Sequence, residues 1–297
     1  MIRWLLKSAR RTREMDQLSA DRLRELLDPK PKTGPAGADG FDGGGKELEA
    51  GAPVLEPLCP AILAGRPTDK PLHDSVELAD EMAAHFFGFG DWAAPYWFIG
   101  LKPGKAPGED ANTSKIAGAW ANGLKKAELV DCLEYHRAIG VEFWHKGRAR
   151  LQPTWRPLIL FLMTVLGRES EIGALRTYQQ TRWGQMRHAE TCVVDLSGIG
   201  AKSFDADADR EEYLKQRIWA IRRKMMLGGH PPKVVLMHGL AAQSHWEEIA
   251  GVPLKPDTVV RVGPTLFVMT PSPVVPGRKN ADWERLGLQV RRQLAAE

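Results

Sequence analysis

"YWFIGLKPGKAPG", residues 96–108, is a short apolar run that stops abruptly in a loop of Gly, Pro and Lys. A run of Tyr, Trp, Phe and Ile with no polar alternation suits a strand buried on both faces. A strand that ends in glycine and proline brings its backbone close to something. Three later segments repeat the pattern: "TCVVDLSG" (191–198), "KVVLMHG" (233–239) and "TLFVMTPSP" (265–273).

Helical segments separate these runs. In "HDSVELADEMAAHFFGFG" (73–90), Val76, Ala79, Met82, Ala83 and Phe86 recur at helical spacing, Asp74 with Glu77 forms a capping box, and Gly88 ends the helix. "ELVDCLEYHRAIG" (128–140) and "PLILFLMTVLG" (157–167) read as helices, the second with Pro157 in its first turn. "DREEYLKQRIWAIRRKMMLGG" (209–229) carries a buried stripe of Leu214, Ile218, Ile221 and Met225, starts at Asp209 and Glu212, and stops at Gly228 and Gly229. "AAQSHWEEIAG" (241–251) is a further helix, and "NADWERLGLQVRRQLAAE" (280–297) closes the chain with Asn280 as its cap. Apolar strands alternating with helices predict an α/β three-layer sandwich around a central four-stranded parallel sheet. Ligands of such sheets bind beyond the carboxyl ends of the strands, so the loops "GLKPG", "DLSGIGAKS", "HGLAAQ" and "TPSPVVPGRK" define the expected crevice.

The 297 residues divide by composition into three parts. Residues 1–28 are charged with some helical spacing, 29–70 are rich in Gly, Pro and Ala and read as a flexible linker, and 71–297 form the α/β domain. The apolar patch at the start and the run 158–167 are too short to span a bilayer. Three widely spaced cysteines, with no C-x-x-C, speak against disulfide and metal scaffolds and for a reducing cytoplasm. His238 and His245 stand seven apart without a partner in sequence, so no metal site is expected. A cytoplasmic monomer with no membrane partner and no cofactor is the expectation.

Net charge is +4. Lys146, Arg148, Arg150, Arg156, Arg168, Arg176, Arg182 and Arg187 face only Glu169 and Glu171 over one stretch. That stretch could lie on nucleic-acid phosphates or simply be solvated helix faces. In "LQPTWRPL" (151–158), Trp155 reads as a core anchor more readily than as a base-stacking ring, and Arg156 could hold a phosphate.

Common site motifs are missing. "GLKPG" lacks the Gly-Lys-Ser/Thr of a phosphate loop, no G-x-G-x-x-G opens a helix, and no G-x-S-x-G elbow occurs. The tightly spaced prolines Pro103 and Pro107, and Pro271, Pro273 and Pro276, suit close backbone approach to a phosphate chain, or merely turn the chain.

In their order these pieces resemble the uracil-DNA glycosylase superfamily, in a divergent bacterial branch with segments similar to "WFIGL-x-PG" and "LQPTWRPL". The resemblance covers roughly residues 71–297: "GLKPG" is similar to the Gly-x-x-Pro-Gly loop after that family's first strand, and "TPSP" to its later His-Pro-Ser loop. It implies a DNA partner, a nucleobase flipped out of the duplex, and cleavage of the N-glycosidic bond of a deaminated base. Carried over by position, it implies catalytic-site roles for Lys102, Asp195 and Thr270. It implies substrate contacts at Gly100, Leu101, Pro103, Gly104, Ser197, Gly239, Pro271, Ser272 and Pro273. His238, at the end of the third strand and the mouth of the crevice, is the best-placed imidazole to substitute for a missing group, or else a hydrogen-bonded structural residue. Two positions depart from the pattern. Lys102 stands where a carboxylate or polar group would support a sugar cation, and Thr270, or Ser272 in a shifted alignment, stands where a histidine would stabilise the base anion. Asp195 takes the base-reading place, or else is a loop-capping carboxylate, and Glu109 and Asp110 could fold back to substitute for a missing group. The alternative is a degenerate nucleic-acid- or nucleotide-binding domain that keeps the cleft without the reaction, Lys102 then contacting a phosphate.

Overall fold

In the computed structural model, residues 75–101, 109–198, 207–227 and 230–296 are described, with the backbone alone for 75–77, 109–115 and 207–209. The described helices are α1 (Ser75–His85), α2 (Glu109–Asn122), α3 (Cys132–Ala138), α4 (Trp155–Leu166), α5 (Ile172–Thr181), α6 (Asp207–Leu227), α7 (Gln243–Ala250) and α8 (Asn280–Leu294). The strands are β1 (Gly88–Gly90), β2 (Tyr96–Gly100), β3 (Leu129–Val130), β4 (Thr191–Asp195), β5 (Val234–His238), β6 (Val259–Val262) and β7 (Thr265–Thr270). They form one mixed sheet in the order β3-β1-β4-β2-β5-β7-β6.

The α/β class holds, but the sheet is larger than the expected four parallel strands. The four expected runs do lie side by side and parallel, β4-β2-β5-β7. Three short strands extend them: β1 runs antiparallel to β4, β3 runs parallel to β1, and β6 runs antiparallel to β7. These additions are two to four residues long and exist through pairing, with too few residues for a pattern of their own.

The central strands are buried on both faces, and alternate residues divide between two cores. Trp97, Ile99, Val194, Val235, Met237 and Met269 meet Leu214, Ile218 and Ile221 of α6 and Trp246 of α7. Phe98, Leu236, Leu266 and Val268 meet α4, Leu175 of α5, and Trp283 and Val290 of α8. The stripe predicted for α6 is therefore the one that packs. A smaller cluster joins Met82 and Phe86 to Trp120 and Val130.

Local differences have local causes. Gly88 does not end a helix: α1 stops at His85, and Gly88 opens β1. A Cβ at Gly88 would lie 2.2 Å from the carbonyl oxygen of Val193, and one at Gly90 2.0 Å from that of Thr191, at φ of +149° and +95°, so glycine is required for this close pairing. The predicted helix over 128–140 begins with β3 and turns helical only after Asp131, whose Oδ1 accepts hydrogen bonds from the N–H groups of Leu133 and Glu134. Asn280 is the first residue of α8 rather than its cap; the Asp282 carboxylate accepts from the Lys279 N–H at 2.9 Å. Pro157 sits in the first turn of α4, as expected. The Asp74–Glu77 capping box, the Asp209 side chain, the Gly228-Gly229 stop and residues 1–70 lie outside the described residues.

Candidate functional site

The strand order puts the first central strand, β2, between the second, β4, and the third, β5. From β2 the chain goes to one side, and from β5 it continues to the other side. The crevice that such a reversal opens lies at the carboxyl ends of β2 and β5. The last residues of four adjacent strands stand there in a row. Gly100 is paired with Asp195, and His238 with Thr270. Ile99 pairs with Met237, so Gly100 and His238 are the next step of the same ladder. The alternation of side chains puts all four on one face of the sheet.

Gly100 is what lets the row converge. A Cβ there would stand 2.5 Å from Oδ1 of Asp195, 2.9 Å from Cε1 of His238 and 3.1 Å from its Nε2. The carboxylate and the imidazole therefore lean over the same bare backbone from opposite sides. Both are half-buried, with part of each reaching solvent. Burial pushes the Asp195 carboxyl up to about 7, against the opposing pull of the Arg217 guanidinium. Burial alone lowers His238 to about 4, so its imidazole is neutral near pH 7. A carboxyl near 7 is divided between donor and acceptor forms at neutral pH. Such a group is also poised as a general base.

Thr270 is fully buried beside His238, and its Oγ1 has no hydrogen-bond partner. Its carbonyl accepts from the N–H of Gly239 at 2.9 Å. Gly239 turns the chain at φ +101°, and its own carbonyl accepts from Nε1 of Trp246 at 2.8 Å. Leu101 and Ser197 continue the β2–β4 pairing beyond the strands, the Ser197 N–H donating to the Leu101 carbonyl at 2.8 Å. Pro271 and Ser272 are half-buried and Pro273 is buried, while Val274 and Val275 just beyond are exposed. Lys102, Pro103 and Gly104 lie outside the described residues, as do the side chains of Glu109 and Asp110.

Arg217 of α6 holds the β4 end of the row from behind. Its Nε donates to the Leu196 carbonyl at 2.6 Å, and its Nη2 to the carbonyl of Asp195 at 2.9 Å. The same guanidinium reaches the carbonyls of Ala83 and Phe86 at the end of α1, at 3.0 Å each, and lies 3.7 Å over the Phe87 ring. One turn earlier on α6, the Tyr213 hydroxyl donates to Ala83 and accepts from the Gly198 N–H.

Part of the basic stretch is paired with groups of the protein itself, largely at the surface. Arg168 makes two bonds to Glu190, Lys146 pairs with Glu142, and Arg176 donates to the Ala149 carbonyl. Trp155 is the core anchor it was read as, its N–H donating to Oε1 of Gln152 at 2.6 Å.

Away from the crevice stands a group of metal-ligating types that the sequence reading did not bring together. Cys132, His136 and His145 are buried together, with ligating atoms all within 4.8 Å of one another. Sequence reading dismissed the cysteines for want of C-x-x-C. The available signal was Cys132 and His136 four apart on one helix face, with His145 brought back by the turn that follows.

No model of a known protein family matches this chain, and no curated protein matches it. Among the described residues, no helix is long and apolar enough to cross a membrane.

The convergence over Gly100 is testable. Asp195 and His238 touch the added Cβ only with movable side-chain ends, so Gly100→Ala is expected to keep the fold, with a stability change of about 1 kcal/mol or less. The His238 imidazole titration followed by NMR should shift, because the ring must turn away. An unchanged titration would mean that the two side chains do not meet there.

Proposed function

We propose that the crevice over Gly100 receives a nucleobase flipped out of DNA, and that the domain is a divergent relative of the uracil-DNA glycosylase superfamily acting on a deaminated base. The observation that carries the reading is the convergence of Asp195 and His238 at the switch point of the parallel strands. A carboxyl poised near 7 can pair with a base edge in either protonation state, or take a proton from an attacking water. The neutral imidazole of His238 and the unpaired hydroxyl of Thr270 supply hydrogen bonds beside it. Val274 and Val275, exposed on the adjoining loop, give an apolar edge that suits stacking against unstacked bases.

One observation favours the alternative of binding without cleavage. His238 is neutral near pH 7 and Thr270 carries no charge, so neither offers a full positive charge to a departing base anion.

Duplexes carrying uracil, hypoxanthine or xanthine, incubated with the protein and probed for abasic sites, separate the two readings. Cleavage of one of them, lost by 100-fold or more in Asp195→Asn, is the expected result for general-base catalysis. Salt-sensitive binding of a base-mismatched duplex without abasic product would establish the binding reading instead. Neither cleavage nor binding by the folded protein would overturn both.

A further inference from the structure

The Cys132, His136 and His145 cluster has no part in the crevice, and its three ligating atoms lie close enough together to hold one metal ion. Sγ of Cys132 lies 3.5 Å from Nδ1 of His136 and 3.9 Å from Nε2 of His145, and the two ring nitrogens are 3.3 Å apart. A tetrahedral zinc ion with Zn–N of about 2.05 Å and Zn–S of about 2.3 Å sets its ligands about 3.4 Å apart for N···N and about 3.6 Å for S···N. Two of the three separations match closely, and the third is long by a few tenths of an ångström. Hydrogen bonding explains the triangle less well. Nδ1 of His136 already has the Cys132 carbonyl at 2.6 Å, so its single proton cannot also serve the thiol and the second ring. Nδ1 of His145 is buried and makes no hydrogen bond of normal geometry.

We propose that Cys132, His136 and His145 form a site for one Zn2+, with a water in the fourth, open position of the tetrahedron. The donor set, one thiolate and two imidazoles, suits a borderline-soft divalent ion and not magnesium or calcium. On binding, the Cys132 thiol proton leaves to solvent, and the His136 proton moves from Nδ1 to Nε2, freeing Nδ1 to ligate. The ion would tie α3 to the 3-10 turn Glu142–His145, beneath the ring of Trp155, whose centroid lies 5.4 Å and 6.0 Å from those of the two histidines. That brace would hold residues 129–150, where the helices are short and no long strand contributes.

The test uses the untagged full chain. Zinc analysis after purification should find about one ion per chain. Replacing it with Co2+ should give the intense visible bands of tetrahedral cobalt and a near-ultraviolet thiolate-to-cobalt band. Cys132→Ala should remove the thiolate band, and His145→Gln should weaken Co2+ affinity at least tenfold. Metal-free parent protein that binds neither ion, or a thiolate band that survives in Cys132→Ala, would overturn the site. The parent measurements need no variant to fold, so a misfolded variant leaves the decision with them.

Discussion

Replacing Arg217 by Met is expected to cost about 4 kcal/mol or more. Arg217 is 2% exposed, and its guanidinium donates to backbone carbonyls: those of Ala83, Ala84, Phe86, Asp195 and Leu196. These acceptors have little access to water, and each buried carbonyl left unpaired costs about 1–3 kcal/mol. Met fills much of the volume over Phe87 but offers no donor. Lys restores the charge without the planar fork, so Arg217→Lys should recover only part of the loss. The guanidinium also serves as the cation at the end of α1, where the last carbonyls point outward. Urea unfolding monitored by tryptophan fluorescence measures the effect. A midpoint within error of the parent would show that α1 and β4 are not joined through this residue. Removal of the positive charge should also let the Asp195 carboxyl rise further, since Arg217 is what holds it down.

What could be read from the chain and what could not follows from the range of the interactions. The boundaries of β2 came directly from "YWFIG", because continuous apolar residues bounded by Pro95 and "GLKPG" admit little else. The α6 stripe was equally plain, because helical period is a local property. The row Asp195, Gly100, His238 and Thr270 was partly legible: parallel strands must bring their carboxyl ends to one edge, whichever order they adopt. That order was not legible, nor was the fact that Gly100 supplies the space. Arg217 was invisible as a structural residue. It stands in "YLKQRIWAIRRK", where a basic residue reads as a solvated helix face, and three of its acceptors are more than 130 residues away at the end of α1. The protonation of Asp195 was not legible for the same reason: it depends on burial that only the assembled sheet provides.

The paired titrations of Asp195 and His238 give a pH signature that single substitutions should separate. Asp195 is raised from 3.8 to about 7, so the folded state holds its proton over a range in which the unfolded chain has lost it. Its contribution to stability therefore falls as pH rises from about 4 to 7 and is constant above that. His238 is lowered from 6.5 to about 4, so the unfolded chain binds the extra proton, and stability rises as pH goes from about 4 to 6.5. The two slopes oppose each other and largely cancel in the parent over that window. His136, also lowered to about 4, adds to the rising side when no metal is bound. Differences from the parent remove that shared background. Asp195→Asn should show a stability advantage that is small at pH 4, grows to about 2 kcal/mol by pH 7 after allowance for the partial solvent access of the carboxyl, and then stays flat. His238→Gln should show the mirror image: little advantage above pH 6.5, increasing as pH falls toward 4. Urea midpoints at half-unit pH intervals would resolve both curves. A pH-independent difference for Asp195→Asn would mean that the carboxyl is ionised throughout and cannot act as the neutral-pH acid or base of the crevice. The site would then be left with a fixed negative charge, which suits a base edge offering donors and opposes any phosphate.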